Sequence, residues 1–182
     1  MKRHIVIIHF LLLLVIAGCT TIYGVAVEER KAGTVASDAK ITTTIQTKFL
    51  EDSDVKALDI SAYCYYGNVY LVGEYDRKPR KERAITIAEG VEGVRSIHTY
   101  ILLKKKRDTC GTRDNLAIRE KVDAKLVADK EIRSTNIDVK VVQCNVVLLG
   151  IVKSSKEITR ATAHAKSVEG VRSVKSFLKS TH

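Results

Sequence analysis

The chain has 182 residues, 31 Lys or Arg against 21 Asp or Glu, and a formal charge of +10. That length leaves room for no more than two small domains, and the charge favours an anionic surface as partner. Its five histidines are set by no motif against a carboxylate or a cysteine, so they propose neither a catalytic triad nor a metal site, and nothing asks for a cofactor.

Met1-Lys2-Arg3-His4 opens the chain with charge, Ile5 to Ile16 is apolar apart from His9, and Ala17-Gly18-Cys19 follows. That order is an export signal. Val15-Ile16-Ala17-Gly18-Cys19 resembles the lipobox of bacterial lipoproteins, in which cleavage falls before the cysteine and the cysteine is lipidated. Residues 1–18 are then a signal peptide, and the acyl chains on Cys19, palmitate among them, form a firm anchor. Thr20 points, by resemblance to the bacterial sorting rule, to the outer membrane. An ordinary signal peptide or a single anchoring helix is the alternative, although the apolar run is short for a hydrocarbon span. Residues 19–37 read as a tether, with little periodicity and the balanced run Glu28-Glu29-Arg30-Lys31.

From Asp38 onward Ile41, Ile45 and Phe49 recur at steps of four, which predicts a helix capped by Ser37 or Asp38. Ile60, Ala62 and Cys64 then alternate with Asp59, Ser61 and Tyr63, the period of a strand with one buried face. Tyr66-Gly67-Asn68 predicts a tight turn into a second strand carrying Val69 and Leu71. Gly73 ends that strand where a side chain would crowd the next helix. Pro79 suits a first helical turn, Lys81, Ala84, Ala88 and Val91 share one helical face, and a last strand spans Ile97 to Leu103.

The same series then repeats. Ile118, Val122 and Leu126 form the second helix stripe, with Asp114 or Asn115 as cap. Ile137, Val139 and Val141 alternate, Gln143-Cys144-Asn145 turns, and Val146 and Leu148 follow. Ile158, Ala161, Ala165 and Val168 share a helical face, and Val174 to Leu178 is a last strand. Gly67-Asn68-Val69-Tyr70-Leu71-Val72-Gly73 returns as Cys144-Asn145-Val146-Val147-Leu148-Leu149-Gly150, and Val91-Glu92-Gly93-Val94-Arg95-Ser96 returns unchanged at 168–173, both 77 residues on. The chain is two copies of one unit. Each reads as helix, strand, strand, helix, strand, so the fold class is α+β: two tandem αββαβ domains, each a three-stranded mixed sheet with two helices on one face.

The element order, the Gly-Asn-Val-x-Leu-x-Gly strand and the Val-Glu-Gly-Val-Arg-Ser closure resemble the BON domain. Two tandem copies behind a lipobox are similar to the dual-BON outer-membrane lipoproteins of Gram-negative envelopes. The resemblance covers residues 38–103 and 114–180. It implies a non-enzymatic, lipid-anchored protein facing the periplasm, binding anionic phospholipid such as phosphatidylglycerol or cardiolipin and supporting envelope integrity. It also places the lipid contact in the second domain, near its first helix.

Charge favours the same region on independent grounds. Residues 38–103 carry nine Lys or Arg against ten Asp or Glu, whereas residues 114–182 carry thirteen against eight and the linker 104–113 carries five against one. Each cation near an anionic leaflet adds about 1 kcal/mol. The candidate lipid-binding residues are Lys104, Lys105, Lys106, Arg107, Arg119, Lys121, Lys125, Lys130, Arg133 and Lys140, with Leu116 and Val127 as apolar contacts if they are not core. Glu120 and Asp123 dilute the helix, and no aromatic lies between Leu116 and Val127. A merely solvated linker is the other reading of Lys104-Lys105-Lys106-Arg107; nucleic acid is not proposed, because export removes the chain from it and no aromatic platform accompanies the basic run.

Cys64 stands where the second copy has Val141 and reads as core. Cys110 in the linker and Cys144 in an exposed turn are candidates for a disulfide in an oxidising periplasm. Tyr63, Tyr65, Tyr70 and Tyr100 share the side of the first sheet that no helix covers. That side is open to three readings: packing on the second domain, binding another outer-membrane or periplasmic protein as a structural adaptor, or plain exposure.

Overall fold

A computed structural model of the chain describes residues 29–55 and 58–181. The first repeat comprises α1 (Ala32–Glu51), β1 (Ile60–Tyr65), β2 (Asn68–Tyr75), α2 (Lys78–Glu89) and β3 (Ser96–Leu103). The second comprises α3 (Thr112–Ala128), β4 (Ile137–Val142), β5 (Asn145–Val152), α4 (Ser155–Lys166), β6 (Ser173–Ser176) and β7 (Lys179–Ser180). In each, a hairpin pairs two strands antiparallel and a helical crossover returns the last strand parallel to the middle one. The strand expected to end at Leu178 is interrupted at Phe177 and Leu178 and resumes as β7, keeping one register: Leu148 opposes Ser176 and Ile151 opposes Lys179.

The predicted stripes are buried, Ile41, Ile45 and Phe49 on α1 and Ile118, Val122 and Leu126 on α3. The predicted caps are not caps. α1 starts at Ala32 and α3 at Thr112, so Asp38 and Asn115 lie inside their helices and reach across the repeat to its hairpin. Asp38 accepts from the amides of Tyr66 and Gly67 at 2.8 and 2.9 Å. Asn115, 77 residues later, accepts from the amide of Cys144 at 2.9 Å. Asp114 instead closes the start of α3, accepting from the Gly111 amide at 2.7 Å.

Both hairpins place two consecutive residues at positive φ, Tyr66 and Gly67 at 55° and 75°, Gln143 and Cys144 at 49° and 58°. That is the type I′ geometry whose twist matches the flanking strands. The glycines at 73 and 150 neither end their strands nor face a helix. A side chain there would stand 1.9 Å from the Asp59 carbonyl oxygen and 2.0 Å from that of Asn136, so the crowding comes from the chain entering the hairpin.

Each sheet turns one face to its own helices, with Leu71, Ala84 and Ala88 or Leu148, Ala161 and Ala165 between them. The other faces meet. Tyr65, Tyr70 and Val72 pack against Val142, Val147, Leu149 and Ile151, with Tyr63 and Tyr100 partly buried beside them. The molecule therefore has four layers, helices outside and two sheets within. Of the three readings of the tyrosine face, the structure holds inter-domain packing. Polar contacts cross the same seam: Gln143 Nε2 donates to the Leu103 carbonyl at 2.8 Å and to Glu74 at 2.9 Å, and the Tyr65 hydroxyl donates to Asp138.

Candidate functional site

Of the ten nominated cations the structure gathers three. Lys104 follows β3, its amide donating to the Tyr75 carbonyl at 2.8 Å and its ammonium lying 2.6 Å from Asp59. Arg119 sits on α3 one turn beyond Leu116, its nearest acid Asp123 at 3.5 Å. Lys140 is in the middle of β4. All three line a cleft of about 350 Å³ between the repeats, together with Leu58, Leu116, Asp59 and Glu74.

The charges in this cleft do not cancel. Asp59 is held by Lys104 and Glu74 accepts from Gln143. Lys140 is half-buried, and among the described residues no carboxylate forms an ion pair with it. Burial first, and the neighbouring Arg119 second, lower its pKa. An ammonium so placed gains by meeting an anion. Apolar side chains stand at the rim: Leu58 is 96% and Leu116 55% exposed. Val127, 70% exposed, lies about three helical turns beyond Leu116 on the same outward line of α3.

The remaining candidates are dispersed. Lys105, Lys106 and Arg107 are exposed in a linker fixed at both ends. At its far end Arg172 pairs with Asp108 at 2.7 Å, and hydrogen bonds from Arg172 and from the Cys110 amide hold the Asp108 carboxyl down at about 2. Lys121 and Lys125 lie on another flank of α3, Lys130 is exposed beyond it, and Arg133 donates to Glu29. Leu58 carried no signal in the sequence. It precedes β1 outside any periodic stretch and meets the cleft only through the packing of the repeats.

Cys110 and Cys144 are joined by a disulfide, with Cα atoms 5.8 Å apart. Contrary to the exposed turn expected, both are buried, because the hairpin lies under the start of α3. The bond ties the linker to that hairpin. Cys64 is a free, buried thiol that donates to Asp38 at 3.3 Å. Burial and then that carboxylate push it up to about 12, so it is no nucleophile at neutral pH.

His164, which the sequence set against no acid, lies 2.7 Å from Asp129, which also accepts from Arg160 at 2.7 Å. The first repeat has the matching pair Arg83 and Asp52 at 2.8 Å, with Ile87 in place of the histidine. This is a helix-to-helix tie, repeated with the unit. Among the described residues no group of three or more His, Cys, Asp or Glu is arranged to hold a metal. Cys19, with the export signal and the first part of the tether, lies outside the described residues.

Comparison with known proteins places these features in a wider set. The family model of the BON domain matches residues 37–105 and 114–180. The osmotically-inducible protein Y of Escherichia coli (strain K12) is 32% identical over 151 residues, covering 82% of this chain and 75% of that protein. The outer membrane lipoprotein DolP of Haemophilus influenzae is 29% identical over 163 residues, covering 88% and 83%. A 21 kDa hemolysin of Actinobacillus pleuropneumoniae is 28% identical over 149 residues, covering 81% and 76%.

Proposed function

The chain belongs to the BON-domain family, and from that premise we propose that it is a lipid-anchored, periplasm-facing protein of the bacterial outer membrane that binds anionic phospholipid and supports envelope integrity. The work is binding rather than catalysis. Its relative in Haemophilus influenzae is an outer membrane lipoprotein. Attachment is assigned to lipid on Cys19 because that residue ends the lipobox-like Val15-Ile16-Ala17-Gly18-Cys19; among the described residues no helix is long and apolar enough to cross a membrane.

The observation that carries the binding is the cleft at Lys140. A half-buried cation without an ion-pair partner among the described residues faces Arg119, between two exposed leucines. A phosphate or phosphoglycerol headgroup supplies the anion, and the start of the acyl region meets Leu58 and Leu116. Lys105, Lys106 and Arg107 add long-range attraction that salt screens. Phosphatidylglycerol and cardiolipin share this chemistry.

The test is vesicle co-sedimentation of residues 20–182, which carry no acylated cysteine. Zwitterionic vesicles, and the same vesicles with phosphatidylglycerol or cardiolipin, are compared at low and high salt. Binding confined to anionic vesicles and lost at high salt supports the reading. No binding to either would leave the membrane contact to the acyl chains alone.

A further inference from the structure

The two repeats end their sheets differently. β3 has eight residues, Ser-Ile-His-Thr-Tyr-Ile-Leu-Leu, none of them charged. It pairs with β2 on one side and, among the described residues, with no strand on the other. In the second repeat the same edge is interrupted at Phe177 and Leu178 and carries Lys175 and Lys179. Charges, interruption and short length are the features that stop an edge from templating another strand. β6 and β7 have all three, and β3 has none.

The outward side of β3 is open at its middle. His98 and Thr99 are exposed there, whereas the Ile101 side chain is buried in the core of the first repeat. The Lys104 amide points at β2, where it meets the Tyr75 carbonyl. Because successive residues of a strand direct their backbone polar groups to opposite sides, those of Thr99, Ile101 and Leu103 face away from β2; Gln143 already donates to the Leu103 carbonyl at 2.8 Å, so the free stretch of the edge ends at Ile101. At the opposite edge of the sheet, Arg30 already donates to the Cys64 carbonyl of β1, at 3.3 Å.

We infer that the free edge of β3 is a docking site for an extended segment of a partner protein, which joins the first sheet as a fourth strand. Main-chain hydrogen bonds hold such a segment, and alternate side chains select it. Charge identifies its chemistry. Arg95 precedes β3 and Lys104, Lys105, Lys106 and Arg107 follow it; of the acids nearby in sequence, Glu89 and Glu92 lie before Arg95, and Asp108 after the run is paired with Arg172. Among the described residues, none of Arg95, Lys105, Lys106 and Arg107 forms an ion pair within 4 Å, although the charge of Lys105 is felt by Asp108. A strand with an uncharged β-branched centre and acidic ends complements this edge. A second copy laid antiparallel would set Arg95 of one chain beside the basic run of the other, and opposed like charges destabilise a pair. This site shares Lys104 and the run Lys105, Lys106 and Arg107 with the lipid reading, but uses none of Arg119, Lys140, Leu58 and Leu116, which line the cleft.

The probe is a synthetic peptide of alternating Val and Thr with Asp at both ends, titrated into the full chain in detergent micelles, alongside the same peptide ended in Lys. The Asp-ended peptide is expected to bind, to slow hydrogen exchange at the Thr99 and Ile101 amides, and to bind about tenfold or more tighter than the Lys-ended one. Thr99→Pro removes an outward N–H that β2 does not use, a position where an edge strand tolerates proline. It should abolish the binding while leaving attachment to anionic vesicles intact. The triple change Lys105→Glu, Lys106→Glu, Arg107→Glu provides a second variant that leaves the strand untouched and should reverse the preference between the peptides. Equal binding of both peptides, no added protection in β3, or undiminished binding by folded Thr99→Pro would overturn the inference. So would a dimer that Thr99→Pro dissociates, since the edge would then belong to a second copy.

Discussion

The hydroxyl of Tyr65, on the first sheet, donates a hydrogen bond to the carboxylate of Asp138, on the second. Burial and then the charge of Asp138 push the Tyr65 hydroxyl up, so it remains a donor across the accessible pH range. Because Asp138 is itself exposed, water replaces the lost partner. Tyr65→Phe is therefore expected to lower the unfolding free energy by only about 1 kcal/mol, read from urea titration, with unfolding still a single transition. Two separated transitions would show that this bond, and not the apolar seam around it, couples the repeats.

Cys144 occupies a positive-φ position that Gly67 fills in the first repeat. Its disulfide closes a sequence separation of 34 residues, for which chain entropy predicts about 3–4 kcal/mol of stabilisation. The double change Cys110→Ala, Cys144→Ser should lose most of that in urea unfolding. Cys110→Ala, Cys144→Gly should recover about 1 kcal/mol, because glycine takes the left-handed conformation without the side-chain penalty. Equal stability of the two variants would contradict this account of the turn.

Gly73→Ala and Gly150→Ala should each disrupt a hairpin, since the added carbon would fall 1.9 or 2.0 Å from a backbone oxygen of the entering chain. Loss of more than about 3 kcal/mol, or failure to accumulate as folded protein, is expected. Gly33→Ala, in the first turns of α1 with nothing within 4 Å, is the control and should shift stability by no more than about 1 kcal/mol.

Lys140→Met separates binding from folding. Removing a half-buried ammonium whose pKa burial has lowered relieves a desolvation cost, so the melting temperature should hold or rise. Affinity for vesicles containing phosphatidylglycerol should fall by about fivefold, the equivalent of about 1 kcal/mol for one cation. Unchanged binding would remove Lys140 from the lipid reading.

Acid should destabilise the fold below the ordinary carboxylate range. Asp38, despite the burial that pushes it up, is held low by the Gly67 and Tyr66 amides; Asp129 is held low by Arg160 and His164, and Asp108 by Arg172. A depressed carboxyl contributes its full stability above its unfolded value, near 3.8, and loses it as pH falls through the folded value, about 2 for Asp108. Asp123, raised by burial, acts in the opposite sense. Urea unfolding at about pH 5, 3.5 and 2.5 should show the loss, and Arg172→Met should reduce the part due to Asp108. A stability independent of pH over that window would rule these pairs out as contributors.

The repeat, the stripes and the strand alternation were legible because each depends on periodicity within a short stretch. Ile41, Ile45 and Phe49 could hardly share a face in any other way. The caps misled for a physical reason: Asp38 and Asn115 are the residue types that favour helix starts, yet their side chains satisfy hairpin amides some thirty residues away. Alternation placed Tyr65 and Tyr70 on the open side of the first sheet, but only the second sheet's position says what covers them. The cleft was illegible as a unit. Lys140, Arg119 and Lys104 read as scattered cations, and Leu58 as a loop residue, until docking of the repeats brought them to one place.

The seam between the sheets has a consequence for how the chain comes into being. The first repeat reaches the compartment where the chain folds before the second, with Tyr65, Tyr70 and Val72 on a bare face and an uncharged strand at its margin. Until Val147, Leu149 and Ile151 arrive, that intermediate presents the kind of surface that seeks other β-structure. Its natural partner is the later part of the same molecule, and any delay in delivering it would favour trapping by chaperones or by other unfinished chains.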